Sequence, residues 1–150
     1  MIETIYNQRQ VDERLATSGQ PDEQELACIA AAGYHVLINL ALHDDPRYSL
    51  PDEAGTARRL GLVYVHIPVI FTAPTREDLL HFFEAMQQHR KDKVWVHCAA
   101  NKRVSVFVGL YRHLREGIPL DEAFALQRDI WEPNPVWTEF LTRMLAERPA

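Results

Sequence analysis

Cysteine is scarce. The 150 residues hold two, Cys28 and Cys98, set in unlike contexts, which speaks against a disulfide framework. No stretch approaches the roughly 18 consecutive apolar residues of a membrane span. The opening residues, MIETIYNQRQVDE, are polar and acidic and lack the apolar core of a signal peptide. These absences lead to the expectation of a cytoplasmic protein, where a reactive thiol stays reduced. An excess of basic charge is also missing: 16 Lys and Arg stand against 21 Asp and Glu, a formal net charge of −5. That balance argues against nucleic-acid and anionic-membrane partners, which favour basic faces. His35, His43, His66 and His97 show no tight ligand spacing, so no metal site is expected, and no cofactor motif is present. Internal repeats, low-complexity tracts and linkers are absent too, so residues 1–150 are expected to form a single domain. Its hydrophobic content, 47%, suffices for a core without staples. Nothing in the sequence fixes the oligomeric state.

What is present alternates between strand and helix. Glu3 to Asn7 and Arg14 to Thr17 suggest an edge hairpin. Pro21 suits a first helical position, and a helix over Glu23 to Ala32 closes at Gly33. Cys28 lies among Leu26, Ala27, Ile29 and Ala30 and reads as a small buried thiol. His35 to Leu42 is a strand, HDDPRYSLP at His43 to Pro51 a loop, and Asp52 to Leu60 a short helix stopped by Gly61. Leu62 to Ile67 is the next strand. Thr75 and Asp78 resemble a capping box that opens a helix to about Arg90, with Leu79, Phe82, Phe83 and Met86 on its core face. The apolar run Lys93 to Val96 is a buried strand. A helix follows from Val104 to Glu116, then one over Asp121 to Ile130, and a last one capped at Asn134-Pro135 that runs through Glu147. Such alternation implies an α/β fold with a mainly parallel central sheet flanked by helices on both faces.

The chain is organised around KVWVHCAANKRVS, residues 93 to 105. A strand that feeds a helix through a short loop gathers backbone N–H groups and a helix dipole around one point, a ready anion site. Cysteine at the start of such a loop is favoured as a thiolate. In parallel sheets ligands sit at the carboxyl ends of strands, which is where this loop emerges.

HCAANKRVS resembles the HC-x5-R-S/T signature of cysteine-dependent protein tyrosine and dual-specificity phosphatases. SGQP at Ser18 to Pro21, VLINL at Val36 to Leu40, YVHIPV at Tyr64 to Val69 and WEPNPVW at Trp131 to Trp137 are similar to small bacterial phosphatase-like proteins. Those are related to the phosphatase part of beta-lactamase-hydrolase-like proteins. The resemblance covers nearly the whole chain and implies a tyrosine-phosphatase-like fold. It further implies that Cys98 is a nucleophile and that His97 orients the loop and supports the thiolate. The amides of Ala99, Ala100, Asn101, Lys102 and the residues up to Ser105 would cradle phosphate, Asn101 taking the left-handed backbone usual for glycine. Ser105 would help the sulfur leave. The arginine is out of register. Either the loop is one residue shorter and Arg103 serves, or it has normal length and Val104 stands in the arginine's place; the register of Ser105 favours the second. The usual aspartate after the IPV-like strand end is also missing, since Ile70-Phe71-Thr72 holds no carboxylate. His43, Asp44 and Asp45 are candidate substitutes, and Asp78 is more simply a helix cap.

The implied function is a cysteine-dependent phosphatase for phosphate monoesters, phosphotyrosine or phosphoproteins among them. It would work through a phosphocysteine intermediate and would be attenuated by the displaced arginine and missing acid. Its partner would be a phosphate-containing small molecule or phosphoprotein. The alternative is a pseudophosphatase that binds a phosphate-type anion or phosphoprotein without turnover; a third reading, sulfur transfer or thiol redox at Cys98, fits a thiolate at a helix start.

Overall fold

A computed structural model describes residues 1–47 and 49–150. Strands β1 (Arg9–Gln10), β2 (Leu15–Ser18), β3 (Val36–Asn39), β4 (Val63–His66) and β5 (Val94–His97) form one sheet in the order β1-β2-β5-β3-β4. Among the described residues β1 and β2 pair antiparallel, and the other strand pairs are parallel. The helices are α1 (Glu23–Ala31), α2 (Glu53–Arg59), α3 (Arg76–Gln88), α4 (Lys102–Leu114), α5 (Leu120–Ala123), α6 (Ala125–Ile130) and α7 (Pro135–Glu147). The expected α/β fold with a mainly parallel sheet covered on both faces is therefore present.

Strand periodicity distributes the core. Alternate side chains leave opposite faces of a strand. Leu15, Val36, Ile38, Val94 and Val96 join α3, α4 and α7 in one apolar cluster. Ala16, Leu37 and Trp95 join α1 and α2 in the other. Helix α4 is apolar nearly all round, with Val104 through Tyr111 buried, because it lies against the sheet and beneath α3 and α7. Phe107 touches Phe82, Trp137 and Phe140 at ring-centroid distances of 5.8, 6.1 and 5.9 Å. Gly109 sits so close to Phe124 that a Cβ there would lie 2.6 Å from its ring.

Caps fix several boundaries. Asp22 and Thr75 each form a capping box with Glu25 and Asp78, and Asn134 caps α7 ahead of Pro135. Three expectations change. The amino-terminal hairpin moves to β1–β2, and β2 is an inner strand, paired on its other side with β5. The single helix expected over Asp121 to Ile130 breaks into α5 and α6 at Phe124. Helix α4 begins at Lys102 rather than Val104. Within the expected loop at His43 to Pro51, Tyr48 lies outside the described residues. Among the described residues, no helix is long and apolar enough to cross a membrane.

Candidate active site

β5 ends at His97, and α4 starts at Lys102. Four residues, Cys98 to Asn101, make the turn between them. Asn101 takes a φ of 68° as the helix N-cap, a left-handed backbone that asparagine tolerates. Its side chain donates to the Asn7 carbonyl and the Thr17 hydroxyl, both at 2.9 Å, which ties the turn to β2 and the chain before it.

The loop's carbonyls are held from outside. His97 Nδ1 lies 3.3 Å from the Cys98 carbonyl. The Gln20 amide donates to the Ala99 carbonyl at 3.0 Å, and Asn7 Nδ2 to the Ala100 carbonyl at 3.1 Å. In a trans peptide the C=O and the next N–H point in opposite directions. Anchoring the Cys98 and Ala99 carbonyls outward therefore turns the Ala99 and Ala100 N–H groups to the opposite side. The amides of Lys102 to Val104 add the orphan donors of a helix's first turn.

A cavity of about 470 Å³ opens here, lined by Tyr6, Phe71, Cys98, Ala99, Ala100, Lys102 and Arg103. Cys98 is 1% exposed and so forms the floor, while Tyr6 and Lys102 stand exposed at the rim. Arg103, largely buried, donates from Nη1 to the Val69 carbonyl at 2.8 Å, and its guanidinium lies 5.8 Å from the Phe71 ring centre. That bond uses one of its five N–H donors. Phe71 is braced in turn by Trp131 and Trp137 at 5.8 and 6.0 Å, and Trp137 Nε1 donates to the Phe71 carbonyl at 2.7 Å. Among the described residues the lining carries two cations and no carboxylate, so the field inside favours an anion.

Five of the nine expected site residues meet at the cavity: Cys98, Ala99, Ala100, Lys102 and Arg103. The other four do not line it. Val104 is fully buried in the apolar cluster under α4, so it does not stand where an arginine would reach the cavity. Helix α4 starts at Lys102 and Arg103 lines the cavity. Ser105 gives its one proton to the Lys102 carbonyl at 2.7 Å and accepts from Trp131 Nε1 at 3.0 Å. It caps its own turn rather than donating to sulfur. Asn101 turns its side chain away, and His97 lies behind the loop, fully buried.

The substitute acids lie elsewhere. His43 and Asp44 line a separate cavity with Ser49 and Pro51. Asp45 is paired with Arg47 at 2.9 Å, whose hydrogen bonds hold its carboxyl below the usual range. Asp78 caps α3.

Tyr6, Asn7, Gln20, Glu53 and the bracing role of the two tryptophans were not expected from the sequence. Gln20 and the tryptophans fall in the SGQP and WEPNPVW stretches, which was the available signal. Glu53 carried none, yet its Oε2 lies 2.7 Å from His97 Nε2, with the two side chains 1% and 0% exposed. Gln20 Nε2 donates to Glu53 Oε1 at 2.7 Å. Burial raises the Glu53 carboxyl, but the His97 ring and the hydrogen bonds from His97, Gln20 and Tyr64 outweigh it and hold it below its ordinary value. Burial first, then the nearby Glu53 charge, pushes the Tyr64 phenol far upward.

Comparison with known proteins agrees with this geometry. The family model described as DSP-PTPase phosphatase fused to NAD+ kinase matches residues 3–132. A crystal structure of a DUF442 protein from Shewanella putrefaciens CN-32 is 33% identical, with a TM-score of 0.88 over 99% of this chain and 97% of that one. Tk-PTP in its active form is 26% identical, with a TM-score of 0.75 over 95% of this chain and 96% of that one. The beta-lactamase hydrolase-like protein of Xylella fastidiosa is 36% identical over 118 residues, which are 77% of this chain and 27% of the relative. The chain thus spans about a quarter of the length of that relative. By the extent of the family match and the end-to-end likeness to the Shewanella protein, the chain belongs to the DSP-PTPase-like phosphatase family.

Proposed function

We propose that this chain is a cysteine-dependent phosphatase for phosphate monoesters, working through a phosphocysteine. The observation that carries the reading is that Cys98 and Arg103 line one cavity, beneath a loop whose first carbonyls are tied to the outside. In the first step Cys98 Sγ attacks phosphorus, the P–O bond to the leaving group breaks, and the leaving oxygen takes a proton. In the second step water attacks phosphorus and gives up a proton to solvent, the S–P bond breaks, and sulfur departs as thiolate. Arg103 and the loop amides stabilise the equatorial oxygens in both steps. Lys102 at the rim contributes a point charge that draws the substrate in.

Two features support a substrate preference. Tyr6 and Phe71 wall the cavity, a fit for an aromatic ring, so aryl phosphates such as phosphotyrosine are the proposed class. With no carboxylate lining that cavity among the described residues, the leaving oxygen takes its proton from solvent. An absent general acid costs on the order of 10²–10⁴ in rate, so turnover is attenuated most for strongly basic leaving groups. The attenuation rests on the acid and no longer on the arginine.

Rapid mixing with p-nitrophenyl phosphate at pH 5 to 7 tests the proposal. A burst of nitrophenolate followed by slower steady turnover is expected, with both lost in Cys98→Ser. Vanadate binding without any burst would instead establish the pseudophosphatase reading.

A further inference from the structure

Glu53 is the first residue of α2 and is 1% exposed. A carboxylate buried to this degree is unfavourable unless its lone pairs are satisfied and its charge is met. Both conditions hold here. His97 Nε2 lies 2.7 Å from Oε2, Gln20 Nε2 donates to Oε1 at 2.7 Å, and the Tyr64 hydroxyl favours the ionised carboxylate. Tyr64 itself accepts from Asn39 Nδ2 at 3.1 Å.

Each partner leads back to the phosphate loop. From His97 the second ring nitrogen reaches the Cys98 carbonyl at 3.3 Å. From Gln20 the backbone amide reaches the Ala99 carbonyl at 3.0 Å. Glu53, His97, Cys98, Ala99 and Gln20 thus form a closed ring of covalent and hydrogen bonds. The ring grips the two carbonyls whose orientation turns the Ala99 and Ala100 amides to the other side of the loop.

The protonation of His97 follows from its partners. A neutral imidazole has one N–H and can satisfy one acceptor; an imidazolium has two. Both His97 nitrogens face acceptors, the Glu53 carboxylate on one side and the Cys98 carbonyl on the other. The titratable groups around the ring are Glu53 from α2, Tyr64 from β4 and the Cys98 thiol that follows it in sequence. His66 stands beyond Tyr64, 6.1 Å away between ring centres.

We propose that Glu53 is a positioning residue of this active site: it holds His97 as the doubly protonated imidazolium, and through His97 and Gln20 it fixes the first two peptides of the phosphate loop. The proposal rests on the phosphatase reading for its consequence but not for its geometry. Without the carboxylate, His97 loses the acceptor that orients its ring, the Cys98 carbonyl loses its donor, and the first two peptides of the loop are free to rotate.

Nitrogen-15 NMR of the imidazole rings in the native protein and in Glu53→Gln tests this, together with vanadate titration of both. Native His97 should show two protonated ring nitrogens, one facing Glu53 and one the Cys98 carbonyl. Glu53→Gln should show an altered His97 ring spectrum and a vanadate Kd raised tenfold or more, while the signals of an exposed histidine are alike in both. If Glu53→Gln fails to fold, the native spectrum alone decides. A neutral native ring, or a variant with unchanged ring and unchanged Kd, overturns the proposal. Failure of vanadate to bind even the native protein would count against the phosphatase reading, and the ring spectrum would still decide whether Glu53 holds His97 charged.

Discussion

Arg103 and Val104 are neighbours with opposite fates. A helix turns about 100° per residue, so a shift of one position exchanges a cavity-facing side chain for a core-facing one. Arg103 lines the cavity, whereas Val104 is fully buried. Arg103→Ala should therefore raise the vanadate Kd at least tenfold, about 1.4 kcal/mol, and lower turnover by roughly 10²–10³. Val104→Arg should create no phosphate clamp. It should unfold at a clearly lower urea concentration, since an unpaired charge in an apolar core is strongly destabilising. A gain of activity in Val104→Arg would restore the longer loop. The residue types at this site were legible, and their register was not. Ser105 served as the ruler for the loop, but a serine in the first turn of a helix is favoured there by its own backbone bond, which is the bond seen to Lys102.

At the scale of elements, periodicity identified most helices and the parallel strands, because each has one face or both against a core. Chain neighbours do not reveal sheet neighbours, so the inner place of β2 between β1 and β5 was not readable. Nor was the break at Phe124, which sits with its ring against Gly109 of α4; a contact across helices sets that boundary, not a local signal. The weight of the fold falls on α4. Phe107 and Leu110 are both fully buried, and truncation to alanine should cost roughly 3–5 kcal/mol at Phe107 and 2–5 at Leu110. Urea midpoints lowered in step with those losses are expected. Gly109→Ala makes the complementary case, adding a methyl where the Phe124 ring is already in contact.

For the molecule as a whole, acid stability carries the mark of the buried pair. The Glu53 carboxyl titrates below its ordinary value of 4.5 in the folded chain. A group that binds its proton less tightly when folded favours the folded state above its unfolded pKa, and that contribution is lost as pH falls through the folded value. Urea midpoints of native protein and Glu53→Gln, followed from pH 5 to 3, should change relative to one another as pH falls below the ordinary value of 4.5. Carboxylates common to both chains, including those paired at the surface, cancel in the comparison. A difference that stays flat to pH 3 would show that the pair does not form.

The place of β5 has one more consequence, for the order in which the protein can be made. β2 and β3 flank β5 on either side and do not pair with each other, yet both leave the ribosome before it. Until His97 emerges, they must wait with a gap two strand spacings wide, roughly 10 Å, that only the strand bearing the nucleophile's loop can fill. The last strand to be synthesised is the keystone of the sheet. Every nascent chain shorter than that keeps two unpaired parallel edges, which are slow to close and open to wrong partners, and acquires its sheet and its active-site loop in the same step.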